Sequence, residues 1–211
     1  MKQSNNSSSH WKRFAAASPL RIGLLGGSFN PAHEGHLHIS LQAMKRLKLD
    51  AVWWIVSPAN PLKDPASLAP FAMRYAYAQA MVANHPRIYL CDAEMRYHLR
   101  YTIDTVRALR KRFPQHQFVW LMGSDNLGSF HHWKQWEAIA SALPVAVLDR
   151  SSAIHRCLRM RFAVRFAAFR HAGHAPPTWS TVFIRRHPLS ATHLRKTLGE
   201  NAFSRYNNKI K

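Results

Sequence analysis

The stretch LLGGSFNPAHEGHLHIS, residues 24–40, leads from an apolar strand into a helical pattern through two adjacent glycines. It sets His33 and His36 three positions apart where the helical pattern begins. Two imidazoles at that spacing could share a zinc ion, although a structural zinc site needs two further ligands. Alternatively, the turn could bind phosphate, because a helix N-terminus presents backbone N–H groups and the positive end of the helix dipole. The rest of the chain decides between metal and phosphate.

Length, charge and cysteine content limit the classes of protein to consider. The 211 residues, 47% of them hydrophobic, are enough to bury one full core, which favours a single domain with short appendages. The two cysteines, Cys91 and Cys157, form no C-x-x-C pair, so they suit a reducing cytoplasm and offer no zinc cage. The formal charge of +20 favours a polyanionic substrate or partner. No apolar run approaches the roughly 20 residues of a membrane span, so no membrane association is expected.

Short apolar runs alternate with helical patterns along the chain. The runs that read as strands are RIGLL, AVWWIVS, RIYLCD, FVWLMG, PVAVLD and WSTVFI. Continuous apolar strands separated by helices are typical of a parallel sheet that is covered on both faces. We therefore predict a doubly wound α/β fold. Ligands of such folds bind at the carboxyl ends of the strands, which here are followed by GGSFNPAHEGH, SPANPLK and GSDNL.

The ends of the chain differ in composition from its middle. Residues 1–19 are rich in serine and lack the apolar core of a signal peptide, so we expect a poorly ordered N-terminal tail. Residues 20–200 form the predicted domain, and residues 201–211 a C-terminal tail. Within the domain, residues 150–172 carry arginines and phenylalanines in a pattern that predicts a basic amphipathic helix.

Residues 26–36, GGSFNPAHEGH, resemble the signature G-G-[ST]-F-[DN]-P-x-H-x-G-H of the nucleotidyltransferase superfamily, particularly of bacterial nicotinate-nucleotide adenylyltransferases. The resemblance implies a Rossmann-like nucleotidyltransferase fold and phosphate rather than metal at the histidines. It implies that His33 contacts an ATP phosphate and that His36 stabilises charge on the α-phosphoryl group. The residues of this motif that the resemblance assigns to ATP are Gly26, Gly27, Ser28, Phe29, His33 and His36. The two glycines would let the backbone approach the nucleotide.

Residues 189–195, LSATHLR, resemble a second signature of the same family, I-S-[SA]-T-x-[IL]-R. Ser190 can cap the last predicted helix, while Thr192 and Arg195 share one of its faces. Alone, this pattern would indicate an ordinary cap with a solvated arginine. Together with the first motif it implies that all three residues bind ATP and that Arg195 belongs to the catalytic set with the two histidines.

Residues 57–63, SPANPLK, follow the second strand and resemble the family's P-x-x-x-P-H-K loop. The resemblance assigns Lys63 to the phosphate of the mononucleotide substrate. Leu62 occupies the position at which the family commonly has a histidine. Any role of that histidine therefore has no counterpart in this chain. Asn30, from the first motif, is assigned to the mononucleotide as well.

Residues 100–105, RYTIDT, open a helical pattern and resemble the family's [ST]-Y-T-x-[DE]-T motif, with Arg100 in place of the small residue. The resemblance implies that N–H groups around Tyr101 and Thr102 bind the carboxylate of nicotinate. The residues themselves equally support an alternative in which Thr102 simply caps the helix.

Residues 123–127, GSDNL, with Trp133 after them, resemble the family's G-x-D-x-[LF]…F-x-x-W motif. The resemblance implies that Asp125 anchors a ribose hydroxyl or helps to order a metal ion. Trp133 would then stack on the pyridine ring. An alternative is that Trp133 belongs to the core, as tryptophans at helix starts usually do.

The resemblance implies a function for the whole domain. It is the transfer of the adenylyl group of ATP to nicotinate mononucleotide, which yields deamido-NAD and pyrophosphate in cytoplasmic NAD biosynthesis. Mg²⁺ is the implied cofactor, carried mainly by ATP phosphates and water because the chain has few acids.

Other functions stay open from the sequence. A relative of the same fold could use nicotinamide mononucleotide, flavin mononucleotide or pantetheine phosphate in place of nicotinate mononucleotide. A basic nucleic-acid-binding protein is the alternative of a different class, favoured by the charge of +20. No nucleic-acid-reading motif accompanies that charge, so nucleic acid is not the expected partner. The sequence does not decide between a monomer and a homo-oligomer.

Overall fold

The structure, a computed structural model, describes residues 12–58, 67–149, 158–171 and 175–184. In these residues six parallel strands form one sheet, in the order β3-β2-β1-β4-β5-β6. The doubly wound α/β fold predicted from the sequence is therefore confirmed. The strands are β1 (Arg21–Gly27), β2 (Ala51–Val56), β3 (Ile88–Cys91), β4 (Gln117–Gly123), β5 (Val145–Asp149) and β6 (Trp179–Phe183).

Helices connect most successive strands. They are α1 (Glu34–Leu47), α2 (Phe71–Val82), α3 (Ala93–Arg96), α4 (Thr102–Arg112), α5 (Ser124–Leu127), α6 (Trp136–Ala142) and α7 (Arg161–Arg165), with 3₁₀ turns at Phe130–His132 and Ala167–Phe169. In α1, Ile39 and Ala43 lie four residues apart on the buried face, and Lys48 ends the helix in a left-handed conformation, with φ 51°. None of the helices described here is long and apolar enough to cross a membrane.

The sheet separates two hydrophobic clusters. Trp53 belongs to the cluster on one face and its neighbour Trp54 to the cluster on the other, because consecutive residues of a strand point to opposite faces. All six residues of β2 are buried, as expected for a central parallel strand with helices on both sides. The continuous apolar strands in the sequence reflect this double coverage.

Strand order determines where the functional loops meet. From β1 the chain builds β2 and β3 on one side of the sheet, and then returns to place β4 on the other side of β1. Ligand sites of doubly wound folds lie at such a reversal, outside the carboxyl ends of the strands. The segments that begin at Ser28, Ser57 and Ser124 follow β1, β2 and β4, so all three start at this edge.

The N-terminal tail is shorter than residues 1–19. Residues 12–16 are helical, and Phe14 is buried with its ring edge-on to Trp53 and Tyr89, at 4.8 Å from each ring centroid. The Gln115 side chain donates to the carbonyl oxygen of Phe14 at 3.2 Å. Burial of this one aromatic ring explains why the domain starts before residue 20. Residues 1–11 lie outside the described residues.

The basic segment is not one continuous helix, which corrects the prediction for residues 150–172. Within its described part, residues 158–171, a five-residue α7 is followed by a 3₁₀ turn. Phe166 leaves helical geometry with φ −110° and ψ 26°, and its carbonyl oxygen accepts the indole N–H of Trp179 at 2.8 Å. The segment bends because Phe162 and Phe166 pack inward against the sheet cluster that contains Trp179.

Candidate active site

The turn after β1 begins with two glycines that differ in their surroundings. A Cβ on Gly26 would lie 2.7 Å from Cη2 of Trp120 in the neighbouring strand, whereas one on Gly27 would meet the Phe29 ring at 3.4 Å. Gly26 is therefore required for packing against Trp120, a reason that the sequence did not reveal. Two residues further on, Phe29 is left-handed, with φ 47°, which is uncommon for a bulky residue.

His33 and His36 cap the first turn of α1 reciprocally. Nδ1 of buried His33 accepts the N–H of Gly35 at 3.0 Å, and Nδ1 of His36 accepts the N–H of His33 at 3.2 Å. Such a capping box usually pairs Ser or Thr with Glu or Gln. Because both Nδ1 atoms are acceptors, this hydrogen-bond pattern assigns the proton of each neutral ring to Nε2. The structure thus brings the two predicted histidines together, with ring centroids 3.9 Å apart.

An aromatic layer backs this pair. The Phe29 ring stacks on Trp54 at 4.9 Å and lies 4.7 Å from the His36 ring. The indole N–H of Trp54 donates to Oγ of Ser40, which in turn donates to the carbonyl oxygen of His36, both at 2.8 Å. Trp54 and Ser40 therefore hold His36 in place. Sequence reasoning missed both, because Trp54 lies in an apolar run predicted as a strand and Ser40 lies in the helical pattern after the turn.

Asn30 is buried, and its amide binds backbone groups of the protein. Nδ2 donates to the carbonyl oxygen of Ser67 at 2.8 Å, and Oδ1 accepts the N–H of Ala69 at 3.1 Å. The sequence assigned Asn30 to the mononucleotide. In the structure its amide ties the turn after β1 to the segment that precedes α2.

Arg74, from α2, reaches the same region and is fully buried. Its guanidinium donates to the backbone carbonyl oxygens of Ser28, Ser57 and Pro58, at 2.6, 2.7 and 2.9 Å. Burial lowers its pKa from the ordinary arginine value. Sequence reasoning missed Arg74, although a lone charged residue in the otherwise apolar helix FAMRYAYAQAMV is the signal that could have found it.

The N-terminus of α4 carries the predicted pocket for the nicotinate carboxylate. Tyr101 is the N-cap residue and Thr102 the first helical residue, and within the described ranges no side chain caps this end. The alternative in which Thr102 caps the helix is therefore wrong. Two cations lie near the Tyr101 ring: Nζ of Lys134 at 4.1 Å from the ring centroid and the guanidinium carbon of Arg100 at 5.5 Å. Lys134 was not identified from the sequence.

A buried carboxyl group lies between the loop after β2 and α4. Glu94 lies in α3, three residues after the end of β3, and accepts a hydrogen bond from the hydroxyl of Thr105 at 3.1 Å and another from the side chain of Ser57. Burial raises the pKa of Glu94 above its ordinary value, and the two hydroxyl donors oppose that shift only in part. A carboxylate three residues after a strand that ends at the ligand edge was a signal that sequence reasoning did not use.

The two predicted site residues after β4, Asp125 and Trp133, differ in how far they are buried. Asp125 is exposed in the first turn of α5. Trp133 is half-buried and packs edge-on against Trp120 and Phe130, with ring centroids 6.0 and 5.2 Å apart. Part of the Trp133 ring thus contributes to the core, as the alternative from sequence held, while the remainder is accessible.

Four predicted site residues lie outside the described residues: Lys63, Ser190, Thr192 and Arg195. Among the residues that the structure describes, no group of three or more His, Cys, Asp or Glu side chains is arranged to hold a metal ion.

Comparisons with known proteins bear on this geometry. The cytidylyltransferase-like family profile matches residues 24–197. A protein of Cereibacter sphaeroides named "Probable nicotinate-nucleotide adenylyltransferase" is 46% identical over 181 residues, which cover 83% of this chain and 97% of the relative. A protein of the same name from Methylorubrum extorquens is 47% identical over 184 residues, 83% of this chain and 99% of the relative.

Solved structures show the same fold. The Plasmodium falciparum nicotinic acid mononucleotide adenylyltransferase complexed with NaAD superposes with a TM-score of 0.66 at 18% identity, over 90% of this chain and 89% of the other. The same enzyme complexed with APC gives a TM-score of 0.64 at 16% identity, over 89% of this chain and 96% of the other. At these identities the likeness supports the fold alone.

Proposed function

Since the chain belongs to the nicotinate-nucleotide adenylyltransferase family, among the cytidylyltransferase-like proteins, we infer that it transfers the adenylyl group of ATP to nicotinate mononucleotide. The products are deamido-NAD and pyrophosphate, and the reaction belongs to NAD biosynthesis. This conclusion rests on sequence identity of 46% and 47% with relatives of that name, over nearly their whole length. The roles of individual residues are our proposals.

The observation that supports phosphate chemistry at the turn after β1 is the reciprocal cap of His33 and His36. Each ring uses Nδ1 to accept a backbone N–H, so each carries its donor on Nε2. Two such donors at a helix N-terminus suit the triphosphate of ATP. Held by the cap and by the Phe29 and Trp54 rings, His36 would need little reorganisation to stabilise charge that develops on the α-phosphoryl group.

The start of α4 supports the choice of nicotinate mononucleotide. We propose that N–H groups around Tyr101 and Thr102 bind the ring carboxylate, because this helix end lacks a side-chain cap among the described residues. Lys134 and Arg100 add positive charge beside Tyr101. The neutral amide of nicotinamide mononucleotide would bring its own N–H donors to a pocket that already consists of donors.

The proposed reaction is a single displacement. A phosphate oxygen of the mononucleotide attacks the α-phosphorus of ATP in line, and the bond from the α-phosphorus to the bridging oxygen breaks as pyrophosphate leaves. No covalent enzyme intermediate forms, so the protein contributes positioning and charge stabilisation. By resemblance, Lys63 holds the mononucleotide phosphate, and Ser190, Thr192 and Arg195 hold ATP. Asp125 and Trp133 would hold the nucleoside part of the mononucleotide.

Adenylyl transfer from ATP in this family generally uses a divalent metal ion, and we propose Mg²⁺. The described residues fit an ion carried mainly by ATP phosphates and water, because the segment directly after β4 offers one exposed carboxylate, that of Asp125 in the first turn of α5. When bound, Mg²⁺ would neutralise part of the phosphate charge. We further propose that the reaction takes place in the cytoplasm, where ATP is supplied.

One assay tests this function. The purified protein is incubated with ATP and MgCl₂ together with nicotinate mononucleotide, nicotinamide mononucleotide or pantetheine phosphate, and pyrophosphate and the adenylylated product are measured. Formation of deamido-NAD with the first substrate at much higher efficiency than with the others is expected. Equal or greater turnover with pantetheine phosphate would contradict the proposed acceptor.

A further inference from the structure

Arg74 makes an unusual set of contacts for a buried arginine. Its Nη1 donates to the carbonyl oxygens of Ser28 and Ser57, Nη2 donates to that of Pro58, and Nε donates to that of Ala69. The side chain is 1% exposed. Among the residues that the structure describes, no acidic side chain forms an ion pair with it. Backbone carbonyls, rather than a carboxylate, therefore satisfy this guanidinium.

These carbonyls come from segments with different roles. Ser28 belongs to the turn after β1, which leads to His33 and His36, whereas Ser57 and Pro58 begin the loop after β2. The N–H of Ser57 also donates to the carbonyl oxygen of Gly27 at 3.0 Å. Arg74 thus bridges the turn proposed for ATP and the loop proposed for the mononucleotide, at the point where both chains leave the sheet.

The bond to Ser28 also orients a peptide unit. The C=O and N–H groups of a trans peptide point in opposite directions, so a Ser28 carbonyl that faces Arg74 turns the N–H of Phe29 away from the cation. Phe29 has φ 47°, an unfavourable conformation for a bulky residue, which the bond to Arg74 helps to hold. No hydrogen bond joins this N–H to a described residue. The outward N–H is suited to an anion.

Only a planar guanidinium group can donate to these four carbonyl oxygens at once. Arginine offers five N–H donors in fixed directions, and four carbonyls on three segments use them here. A lysine ammonium supplies the same charge from one atom and cannot reach the carbonyls that lie around the different edges of the planar guanidinium.

We propose that Arg74 is a positioning residue for adenylyl transfer, which clamps the turn after β1 and the loop after β2 in one relative arrangement. This proposal rests on the proposed function, because it concerns the two substrates of that reaction. The clamp sets the distance between the attacking mononucleotide phosphate and the α-phosphorus of ATP. Small errors in such a distance slow the chemical step more than they weaken binding.

Two substitutions separate the clamp from a simple charge effect. Arg74→Lys keeps the charge, and Arg74→Met keeps only the apolar stem. If Arg74 acts as a clamp, neither variant can replace it, and both should lose activity. We expect both variants to lose kcat by on the order of a hundredfold, while the KM values for ATP and nicotinate mononucleotide change less than about fivefold. A kcat for Arg74→Lys within about twofold of the wild type would overturn the clamp in favour of charge alone.

A control on the same helix separates positioning from stability. Met81→Ala removes a buried side chain two turns further along α2 than Arg74. It should lower the melting temperature without changing kcat per folded molecule. An equal loss of kcat in Met81→Ala would show that any weakening of α2 is sufficient, and would overturn the specific role of Arg74.

A second readout does not depend on the reaction. Hydrogen exchange of peptides that cover residues 24–30 and 51–58 should be faster in Arg74→Lys than in the wild type, and slower or equal exchange would overturn the clamp. Wild-type turnover with nicotinate mononucleotide is measured first and tests the proposed function by itself. If that turnover is absent while exchange still accelerates, the function fails and the clamp stands.

Discussion

His33 and His36 together cap the start of α1: Nδ1 of His36 accepts the N–H of His33, and Nδ1 of His33 accepts the N–H of Gly35. The same two rings therefore cap α1, and this pattern assigns the proton of each neutral ring to Nε2, which we propose as the phosphate donor. One pair of side chains thus serves both the helix cap and the proposed phosphate binding. A substitution at either position is expected to alter both.

Substitution of His36 can separate the cap from the chemistry. His36→Gln can keep the reciprocal cap, since Gln is a usual partner at this position, but it removes the imidazole donor. We expect near wild-type melting temperature and turnover lowered by on the order of a hundredfold or more. His36→Ala should lose turnover similarly and also about 1 kcal/mol of stability. His38→Ala, on the same helix, is the control, and near-normal turnover in folded His36→Gln would remove His36 from catalysis.

Gly26→Ala should destabilise the fold by about 1–3 kcal/mol, because its Cβ would lie 2.7 Å from the rigid Trp120 ring. Gly27→Ala is the matched control, since its nearest contact is an ordinary 3.4 Å, and it should change stability little. Trp120→Phe removes part of the obstructing ring, so the double variant Gly26→Ala/Trp120→Phe should lose less than the sum of the two single losses. Denaturant unfolding measures all four. If the stability losses of the two single variants simply add in the double variant, a clash between the Cβ at position 26 and Trp120 is not the cause of the loss.

Phe14→Ala should cost about 3 kcal/mol of stability, although residue 14 falls in the segment that the sequence predicts to be a tail. The reason is the buried contact of its ring with Trp53 and Tyr89. Lys12→Ala, at an exposed position nearby, should be neutral. Thermal unfolding distinguishes the two, and an unchanged melting temperature in Phe14→Ala would return residues 12–19 to the tail.

Glu94 should make stability depend on pH. Its pKa is raised in the folded state by burial, so the folded protein binds this proton more tightly than the unfolded chain does. The contribution of Glu94 to stability is then highest below the unfolded pKa, about 4.3, and falls as pH rises through the folded pKa. Asp92, the N-cap residue of α3, and Arg96 at its end pair with each other at 3.1 Å.

Comparison of Glu94→Gln with the wild type measures this effect. The wild type should lose stability relative to the variant as pH rises, with a slope of at most about 1.4 kcal/mol per pH unit. Glu137→Gln is the control on the surface, where the carboxyl is 51% exposed and pairs with Arg165 at 3.1 Å. A wild-type advantage that grows with pH would show that the hydroxyl donors outweigh burial at Glu94.

The start of α4 should favour the acid over the amide of the pyridine mononucleotide. An unpaired donor in the pocket costs about 1–3 kcal/mol, and loss of the carboxylate charge adds to that. We therefore expect a preference of a hundredfold or more in kcat/KM for nicotinate mononucleotide, as an order-of-magnitude estimate. Lys134→Met should reduce this ratio without unfolding the protein, since Lys134 is exposed. Equal efficiencies in the wild type would show that the pocket is wrongly assigned.

The sequence by itself was sufficient for the fold class and for the turn at its centre. Apolar runs separated by helical periods require a parallel sheet covered on both faces, and the glycines followed by two histidines identify the end of β1 and the start of α1. These signals are local, since strand and helix periods and cap chemistry lie within windows of a few residues. His33 and His36 stood out in this way, whereas the assignment of Tyr101 and Thr102 to the site rests on the family resemblance.

Only the tertiary structure decided which distant residues support that turn. Arg74 lies 46 positions from Ser28, and Trp120 lies on a strand that follows β3 in the chain but pairs with β1 in the sheet. Phe14 and the bend at Phe166 likewise depend on packing partners that are remote in sequence. Periodicity predicts which face of an element is buried, but strand order determines what it is buried against. For that reason the clamp on the two loops became visible only once the sheet was assembled.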